Sequence, residues 1–285
     1  MALLDQKQME SISPFFGTGF GKLAGKVLKG MLNLNKFCGV YERSAADGSL
    51  GPDFAHNVLA DTRATYEVSG FDILRGLQPP FITISNHPYG GVDGIILVDM
   101  VGHLYDGYKV IVNKFISLLE AMGPSFITVT PTSTERKAPT QDSISGIRLA
   151  LQHIRDGNPL GIFPSGAVSD LDRKSGEILD REWQEPIIRV IRKAGVPVIP
   201  IRFFDGNTKF YYRLGLIDWR IRLMRLPTEV INKAGKRNRL AVGPVISPDT
   251  IQSFEDIPSL TAFLRSSVYD MPMPEHFVPR DQLGL

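Results

Sequence analysis

The sequence predicts an α/β protein in which helices flank a mixed, largely parallel sheet. Between residues 64 and 246, short β-rich apolar runs alternate with helical patterns, which is typical of parallel βαβ units. One of these runs ends in polar residues, a glycine turn and a helix start, where open α/β sheets place their ligands. The 285 residues are 43% hydrophobic, enough for one sizeable α/β domain with an added N-terminal element.

Each element follows from a local pattern. We expect strands where apolar β-formers cluster and helices where apolar residues recur every three or four positions. The predicted strands are 64–70, 81–85, 108–112, 126–129, 160–163, 196–201 and 240–246, and the predicted helices are 94–104, 115–122, 143–155 and 186–193. The two prolines in 196–201 suit an edge of the sheet or the end of a strand, and not a central ladder. The stretches 44–57 and 131–140, and the tail from Met271, are predicted to be irregular.

The N-terminal region predicts a separate helical element, and we divide the chain into residues 1–60 and 61–285. Apolar residues recur at helical spacing from Phe16 to Met31, with lysines on the other face. This basic amphipathic helix can lie in a membrane interface. The alternative is a helix packed on the domain with a solvated lysine face.

Composition limits the function classes. The net charge is only +2, so the whole protein is not a polyanion binder, and Cys38 is the one cysteine, which rules out an internal disulfide and fits a reducing compartment. No apolar run approaches the roughly 20 residues that span a bilayer, and the polar N-terminus lacks the pattern of a signal peptide. No metal-ligand spacing or nucleotide-binding loop is present. We therefore expect a cytoplasmic protein.

The central motif, from Phe81 to Val98, reads FITISNHPYGGVDGIILV. It predicts a buried strand that delivers His87 to the edge of the sheet, a glycine turn, and a helix that starts at Asp93. A neutral imidazole can take a proton from an alcohol, and a nearby carboxylate can orient the ring and stabilise the imidazolium. In the alternative reading, His87 bonds a loop carbonyl and Asp93 is only an N-cap.

Asn86 and His87, followed by Asp93, resemble the first conserved block of the glycerolipid (lysophospholipid) acyltransferase family. That family usually has four residues between the histidine and the aspartate, whereas this chain has five, 88–92. The form NHPYGGVDG is similar to a hemolysin-like branch that carries the extra residue. We expect the turn at 90–91 to absorb it, because glycine accepts backbone conformations that other residues avoid.

Further blocks extend the resemblance over most of the chain. The sequence 163–166, Phe-Pro-Ser-Gly, is similar to the third block, usually Phe-Pro-Glu-Gly, with Ser165 in place of the glutamate. The strand at 196–201 resembles the fourth block, and the segment 180–184, DREWQ, belongs to the likeness. The resemblance implies that His87 and Asp93 are catalytic. The residues expected to bind substrate are Asn86, Gly90, Gly91, Lys114, Phe163, Pro164, Ser165 and Gly166.

The resemblance implies a fold like that of glycerol-3-phosphate acyltransferase and transfer of a fatty acyl group to a lyso-lipid hydroxyl, in phospholipid or amino-acid lipid biosynthesis. The donor would be an acyl thioester of acyl carrier protein or coenzyme A, and no cofactor or metal is needed. Backbone N–H groups near Gly166 would receive the oxyanion. The family's second block usually ends in an arginine that holds a phosphate, but 123–131 has none. The acceptor is therefore open between lysophosphatidic acid and a hydroxylated lyso-lipid with an amino-acid head group.

Two other functions stay open at this stage. Ser165 as a nucleophile with His87 as its base would make a lipid hydrolase, although the chain lacks Gly-x-Ser-x-Gly around this serine. A chain with an uncoupled His-Asp pair would be a non-catalytic protein that binds a membrane surface.

A basic run near the C-terminal third predicts a partner. Residues 209–239 contain nine Lys or Arg and two acids, a balance of +7, with Trp219 and other apolar side chains interleaved. The interleaving favours an anionic membrane surface over nucleic acid. We therefore expect peripheral association with the inner face of a membrane, with an ordinary solvated face as the alternative.

Overall fold

The computed structural model describes residues 34–113, 119–129, 141–217 and 219–285. Several predictions fall outside these ranges. They concern the amphipathic helix from Phe16 to Met31, the substrate-binding role of Lys114, and the loop at 131–140. The same holds for the first part of the helix predicted at 115–122, whose last residues belong to a short 3-10 turn at Glu120–Ser125.

Strands in the described part of the chain confirm the predicted sheet. Their bounds are β1 Thr65–Ser69, β2 Ile82–Ser85, β3 Lys109–Asn113, β4 Phe126–Val129, β5 Leu160–Ile162, β6 Asp170–Leu171, β7 Ile178–Leu179, β8 Val198–Phe203, β9 Arg237–Val242 and β10 Val278–Pro279. Eight of the described strands form one sheet in the order β10-β1-β9-β8-β2-β5-β3-β4, and β6 and β7 form a separate hairpin. The pairs β10–β1 and β9–β8 are antiparallel and the other five are parallel, so the sheet is mixed and largely parallel.

Helices cover both faces of this sheet. Their bounds are α1 Leu34–Ser44, α2 Gly51–Thr62, α3 Phe71–Arg75, α4 Val92–Leu104, α5 Gln141–Arg155, α6 Glu185–Ala194, α7 Lys209–Gly215, α8 Trp219–Met224, α9 Leu226–Ile231, α10 Pro248–Gln252 and α11 Ile257–Tyr269. Adjacent strand residues alternate between two cores: Val110 packs with α2 and α4, whereas Ile111 packs with α5, α6 and α11. No helix in the described ranges is long and apolar enough to cross a bilayer.

The loop predicted at 44–57 is partly wrong, because α2 begins at Gly51. Gly51 has a positive φ of 55°, and Pro52 occupies the first turn of the helix. A proline is tolerated there because its missing N–H would have no intrahelical partner. The Gly-Pro pair therefore marks a helix start and not the interior of a loop.

The proline-bearing strand was predicted to avoid a central ladder. This is wrong for Pro200, because β8 lies between β2 and β9, whereas Pro197 directly precedes the strand. On the β9 side, the ladder pairs Ile201 to Phe203 with Leu240 to Val242, and it resumes at a bridge between Val198 and Ile246. Pro200 lies between these two contacts, and its carbonyl accepts from Gly243. A proline is accommodated in the interior because the neighbouring strand has left the ladder at that point.

The C-terminal tail is anchored to α4 through a buried carboxylate. Both oxygens of Asp99 accept from Arg280, each at 3.1 Å, and Tyr66 donates to Oδ2 at 2.6 Å. Burial opposes ionisation of Asp99, but His103, Arg280 and Tyr66 outweigh it and lower its pKa to about 2. Asp99 thus binds the tail, and this contact holds α4 six positions along the helix from Asp93.

Candidate active site

The site begins where β2, between β8 and β5, leaves the sheet. The Asn86 amide donates to the Phe203 carbonyl at 2.9 Å and accepts from the Phe203 N–H at 2.8 Å. Asn86 was expected to bind substrate. In the structure its side chain clamps the exit of β2 to the end of β8, which positions His87 directly after it.

The turn between His87 and Asp93 depends on Gly90. This residue has a φ of 75°, in the left-handed region, and a Cβ there would overlap a methyl group of Val168. Gly91 follows and caps α4 with extended backbone. The five-residue spacing is therefore closed by a tight turn within the predicted Gly90–Gly91 segment, at the position where only glycine fits.

This turn brings His87 and Asp93 together. Nδ1 of His87 lies 2.8 Å from Oδ2 of Asp93, with the ring 15% exposed and the carboxylate fully buried. The oxygen lies to one side of the ring N–H direction, and Nδ1 has no well-aligned hydrogen-bond partner among the described residues. Catalytic contacts often align only when substrate is bound.

Backbone donors hold the Asp93 carboxylate in place. Its Oδ2 accepts from the N–H groups of Tyr89 at 2.9 Å and Gly90 at 3.2 Å, and its Oδ1 accepts from Gly94 at 3.0 Å. The loop that sets the distance between the two side chains therefore also orients the carboxylate.

The electrostatics suit a histidine base. Burial disfavours the charged form of each partner, but their mutual attraction outweighs it, so the pKa of Asp93 is lowered and the pKa of His87 is raised. Asp180 adds to the rise in the pKa of His87. With Nδ1 turned toward Asp93, Nε2 is the ring nitrogen left to accept a proton.

Phe163 provides one wall of the site. Its ring lies against the imidazole of His87, with centroids 4.0 Å apart and planes inclined by 31°. Phe163 directly follows β5, the strand next to β2. The structure thus brings the predicted Phe-Pro-Ser-Gly segment beside the His-Asp pair, and Phe163 contacts the ring itself.

Ser165 is not arranged as a nucleophile. Its hydroxyl is buried and donates to the Ala167 carbonyl at 2.8 Å, within its own loop. No hydrogen bond joins it to His87 in the described part of the chain. This geometry gives the hydrolase reading no support.

Gly166 is held in the same turn. Its φ is 63°, and its N–H donates to the Phe163 carbonyl at 2.9 Å. The Gln184 side chain fills the space beside it and donates to the Ser165 carbonyl at 3.0 Å. The N–H of Gly166 itself is therefore engaged and is not free to receive an oxyanion.

A second buried carboxylate, which the sequence reasoning missed as a site residue, supports His87. Oδ1 of Asp180 accepts from the His87 backbone N–H at 3.1 Å and from the Ser169 hydroxyl at 2.5 Å, and Trp183 donates to Oδ2 at 3.3 Å. Burial raises the pKa of Asp180. The segment DREWQ signalled this region, but no spacing pointed from Asp180 to a residue 93 positions away.

Replacing Asp180 by asparagine tests its positioning role. The amide keeps an acceptor for the His87 N–H but removes a negative charge that favours the imidazolium. A histidine base works only when neutral, so activity falls as the pH drops through its raised pKa. We expect Asp180→Asn to move the acidic limb of the pH–rate profile to lower pH. It should also reduce kcat, by less than the about 10²- to 10⁴-fold that loss of the base itself would cause.

The control for this prediction is Asp156→Asn, which removes an exposed carboxylate from the loop before β5, at the opposite end of that strand from Phe163. It should leave the profile unchanged. A fall in thermal stability with an unshifted profile in Asp180→Asn would show that Asp180 serves the fold only.

No group of three or more His, Cys, Asp or Glu suited to a metal ion occurs within the ranges that the structure describes.

Comparison with known proteins relates the chain to a family. Residues 49–272 match the model of a family described as "Acyltransferase". A protein of Bacteroides thetaiotaomicron named "Lyso-glycine lipid O-acyltransferase" is 27% identical over 231 residues, which cover 78% of this chain and 80% of that protein. A protein of Phocaeicola vulgatus with the same name is 25% identical over 229 residues, 78% of each chain.

A solved structure also resembles the chain. The 1-acyl-sn-glycerophosphate (LPA) acyltransferase PlsC from Thermotoga maritima superposes with a TM-score of 0.48 and 12% identity, over 93% of this chain and 92% of that one.

Proposed function

The chain belongs to the acyltransferase family, and we propose that it transfers a fatty acyl group from an acyl thioester to the hydroxyl of a lyso-lipid acceptor. The match covers most of the chain, including the His87–Asp93 pair and the Phe-Pro-Ser-Gly segment. The single observation that carries the proposal is the 2.8 Å approach of a buried carboxylate to His87 at the end of a central strand.

The proposed reaction uses His87 as its general base. Nε2 takes the acceptor's hydroxyl proton as the oxygen attacks the thioester carbonyl, and Asp93 stabilises the imidazolium. A C–O bond forms, the C–S bond breaks, and the imidazolium returns its proton to the departing thiolate. The acceptor oxygen is itself the nucleophile, so no acyl-enzyme forms.

The acceptor we favour is a hydroxylated lyso-lipid with an amino-acid head group. The named relatives are lyso-glycine lipid O-acyltransferases. The stretch 123–131 lacks the arginine that the resemblance would require for a phosphate. The donor is an acyl thioester of acyl carrier protein or coenzyme A.

The experiment that tests the proposal combines each thioester with a panel of lyso-lipids and identifies products by mass spectrometry. We expect an O-acylated product with the amino-acid lyso-lipid. Free fatty acid as the main product, in equal amounts with and without acceptor, would indicate a hydrolase. No product from any pair would contradict the proposal.

We also propose that the protein works at a membrane surface. Large apolar side chains are exposed on and beside α7 and α8. They are Phe210 (55%), Leu216 (36%), Ile217 (78%), Trp219 (53%) and Leu223 (37%), here called the 210–223 apolar surface. Lys209 and Arg213 lie among them and supply positive charge. Exposed apolar groups beside cations are typical of a surface that inserts among anionic lipids.

The structure changes which cations belong to this surface. Arg222 is buried, donates to the Ser169 carbonyl at 3.0 Å and pairs with Asp170 beneath the β6–β7 hairpin. Lys233 is also buried. These two members of the basic run hold the fold together and cannot contact a membrane.

Vesicle sedimentation tests the membrane proposal. We expect the double variant Ile217→Ser/Trp219→Ser to bind anionic vesicles about tenfold more weakly or worse, since each apolar side chain contributes about 1.5–3 kcal/mol when fully buried. High salt should release the wild type only partly, because insertion of apolar groups is not screened.

The matched control is Leu149→Ser, which removes an exposed leucine from α5, outside the apolar surface. It should bind as the wild type does. Equal binding by the double variant and the wild type would make the 210–223 apolar surface an ordinary solvated face.

A further inference from the structure

A cavity of about 960 Å³ opens beside the loop that joins His87 to Asp93. Asn86 and Pro88, the neighbours of His87 on either side, line its inner end. The hairpin of β6 and β7 forms one wall, and the end of β8 with the start of α7 forms another. The volume is ample for a small polar group with part of a hydrocarbon chain.

The cavity carries two cations without partners. Lys209 and Arg213 both line it, one turn apart on α7. Neither side chain has a hydrogen bond or an ion pair among the residues that the structure describes, and both residues are exposed. Their charges are therefore available to a ligand.

Two further arginines add positive charge. Arg202 donates to the carbonyls of Tyr269 and Met271, and Arg265 donates to those of Asp180 and Arg181. These partners are neutral, so neither guanidinium is matched by a carboxylate. They lie on the cavity wall formed by the end of β8 and α11.

The acids of the cavity offset this charge only in part. Asp205 is already paired with Arg239, whose guanidinium donates to both of its oxygens at 2.7 and 3.0 Å. Glu177 and Asp270 are exposed. Among the described residues, four Lys or Arg side chains thus line the cavity together with two acids that have no ion pair, and the cavity favours an anion over a cation.

The opposite wall is apolar. Leu171 and Ile178 of the hairpin are half-buried, and Phe203 and Tyr212 are buried at the inner end. Tyr212 donates its hydroxyl to the Pro88 carbonyl at 2.7 Å, which joins α7 to the loop after His87. A ligand with a charged end and a hydrocarbon portion matches both walls.

Building on the proposed function, we infer that this cavity holds the acceptor, with an anionic head group at Lys209 and Arg213 and its hydrocarbon against the hairpin. Carboxylate and phosphate share the chemistry that these cations recognise. Asn86 and Pro88 flank His87 in the chain, so the hydroxyl of a lipid seated in this way would approach the His87–Asp93 pair from the end of the cavity that these two residues line.

Steady-state kinetics in a neutral detergent test the inference. The acceptors are an N-(hydroxyacyl)glycine, its methyl ester, and a lysophosphatidic acid of the same chain length. We expect Arg213→Gln to raise KM for the free acid about tenfold with little change in kcat, the size expected for one charge-assisted contact. The variant should leave KM for the methyl ester unchanged, because the ester has no charge to lose.

A matched control variant and the phosphate acceptor complete the experiment. Arg237→Gln removes a cation that pairs with Glu67 on β1, outside the cavity, and should change nothing. A rise in KM confined to lysophosphatidic acid would identify phosphate as the anion. An equal rise for acid and ester, or no rise for either anion, would overturn the inference.

A binding measurement separates this inference from the proposed function. A soluble N-acylglycine without a hydroxyl cannot be acylated, so calorimetric titration of it reports on the cavity alone. We expect Arg213→Gln to weaken its binding about tenfold. If binding depends on Arg213 but the protein acylates no lyso-lipid, the proposed function is contradicted and the anion site is supported. If acyl transfer occurs but binding of the N-acylglycine does not depend on Arg213, only the anion site is contradicted.

Discussion

Replacing His87 by alanine should lower acyl transfer by about 10²- to 10⁴-fold, the contribution of a positioned general base. The ring is 15% exposed and its Nδ1 lies 2.8 Å from Asp93. Within the described ranges, no other side chain that could take the acceptor's proton is paired with this carboxylate. Asp99 belongs to the same helix but is bound to Arg280 and Tyr66. The rate should be measured with saturating thioester and lyso-lipid.

The comparison for this variant is Ser165→Ala. The Ser165 hydroxyl donates to the Ala167 carbonyl, so its loss should alter the turn slightly and reduce activity only a few-fold. Circular dichroism should show both variants folded. An inactive Ser165→Ala beside an active His87→Ala would reverse the assignment and favour a hydrolase.

Replacing Asp93 by asparagine should reduce the rate by about 10²-fold or more, because a neutral amide cannot stabilise the imidazolium. The free energy of unfolding should also fall, by about 1–3 kcal/mol. Asp93 accepts from the backbone N–H groups of Tyr89, Gly90 and Gly94, and the amide nitrogen would face one of these donors with a donor of its own. Initial rates and thermal unfolding measure the two effects.

Asp99→Asn is the matched variant, since it changes a second buried carboxylate six positions along the same helix. It should lower the midpoint of thermal unfolding through the contacts of Arg280 and Tyr66, while turnover per folded molecule stays close to that of the wild type. Similar kinetic losses in both variants would mean that Asp93 acts through the fold and not through His87.

Much of the fold and the centre of the site could be predicted because their signals are local. The run 81–98 contains a strand, a turn glycine and a helix start in sequence, and the structure places them as β2, Gly90 and α4. The alternation of apolar runs and helical patterns likewise specified parallel pairing. Phe163 was predicted at the site as part of the Phe-Pro-Ser-Gly segment, which directly follows β5, the strand next to β2.

What could not be predicted depends on contacts between distant segments. Nothing near Asp180 in sequence indicates that its carboxylate binds the backbone of His87. Lys233 appeared as one of nine cations in a basic run, yet its ammonium is buried, donates to the Gly206 carbonyl at 2.8 Å and lies 4.2 Å from the centre of the Tyr89 ring. Burial lowers its pKa to about 8. Charge counted along the chain does not show which cations reach the surface.

One mass-spectrometric time course tests the central claim most directly. Wild-type protein is mixed with an acyl thioester and an amino-acid lyso-lipid, quenched at intervals, and measured for both the intact protein mass and the lipid product. Direct transfer by the His87–Asp93 pair predicts that acylated lipid accumulates from the start while the protein mass stays unchanged. An acyl adduct on the protein that forms before the product, and that Ser165→Ala abolishes, would contradict the account.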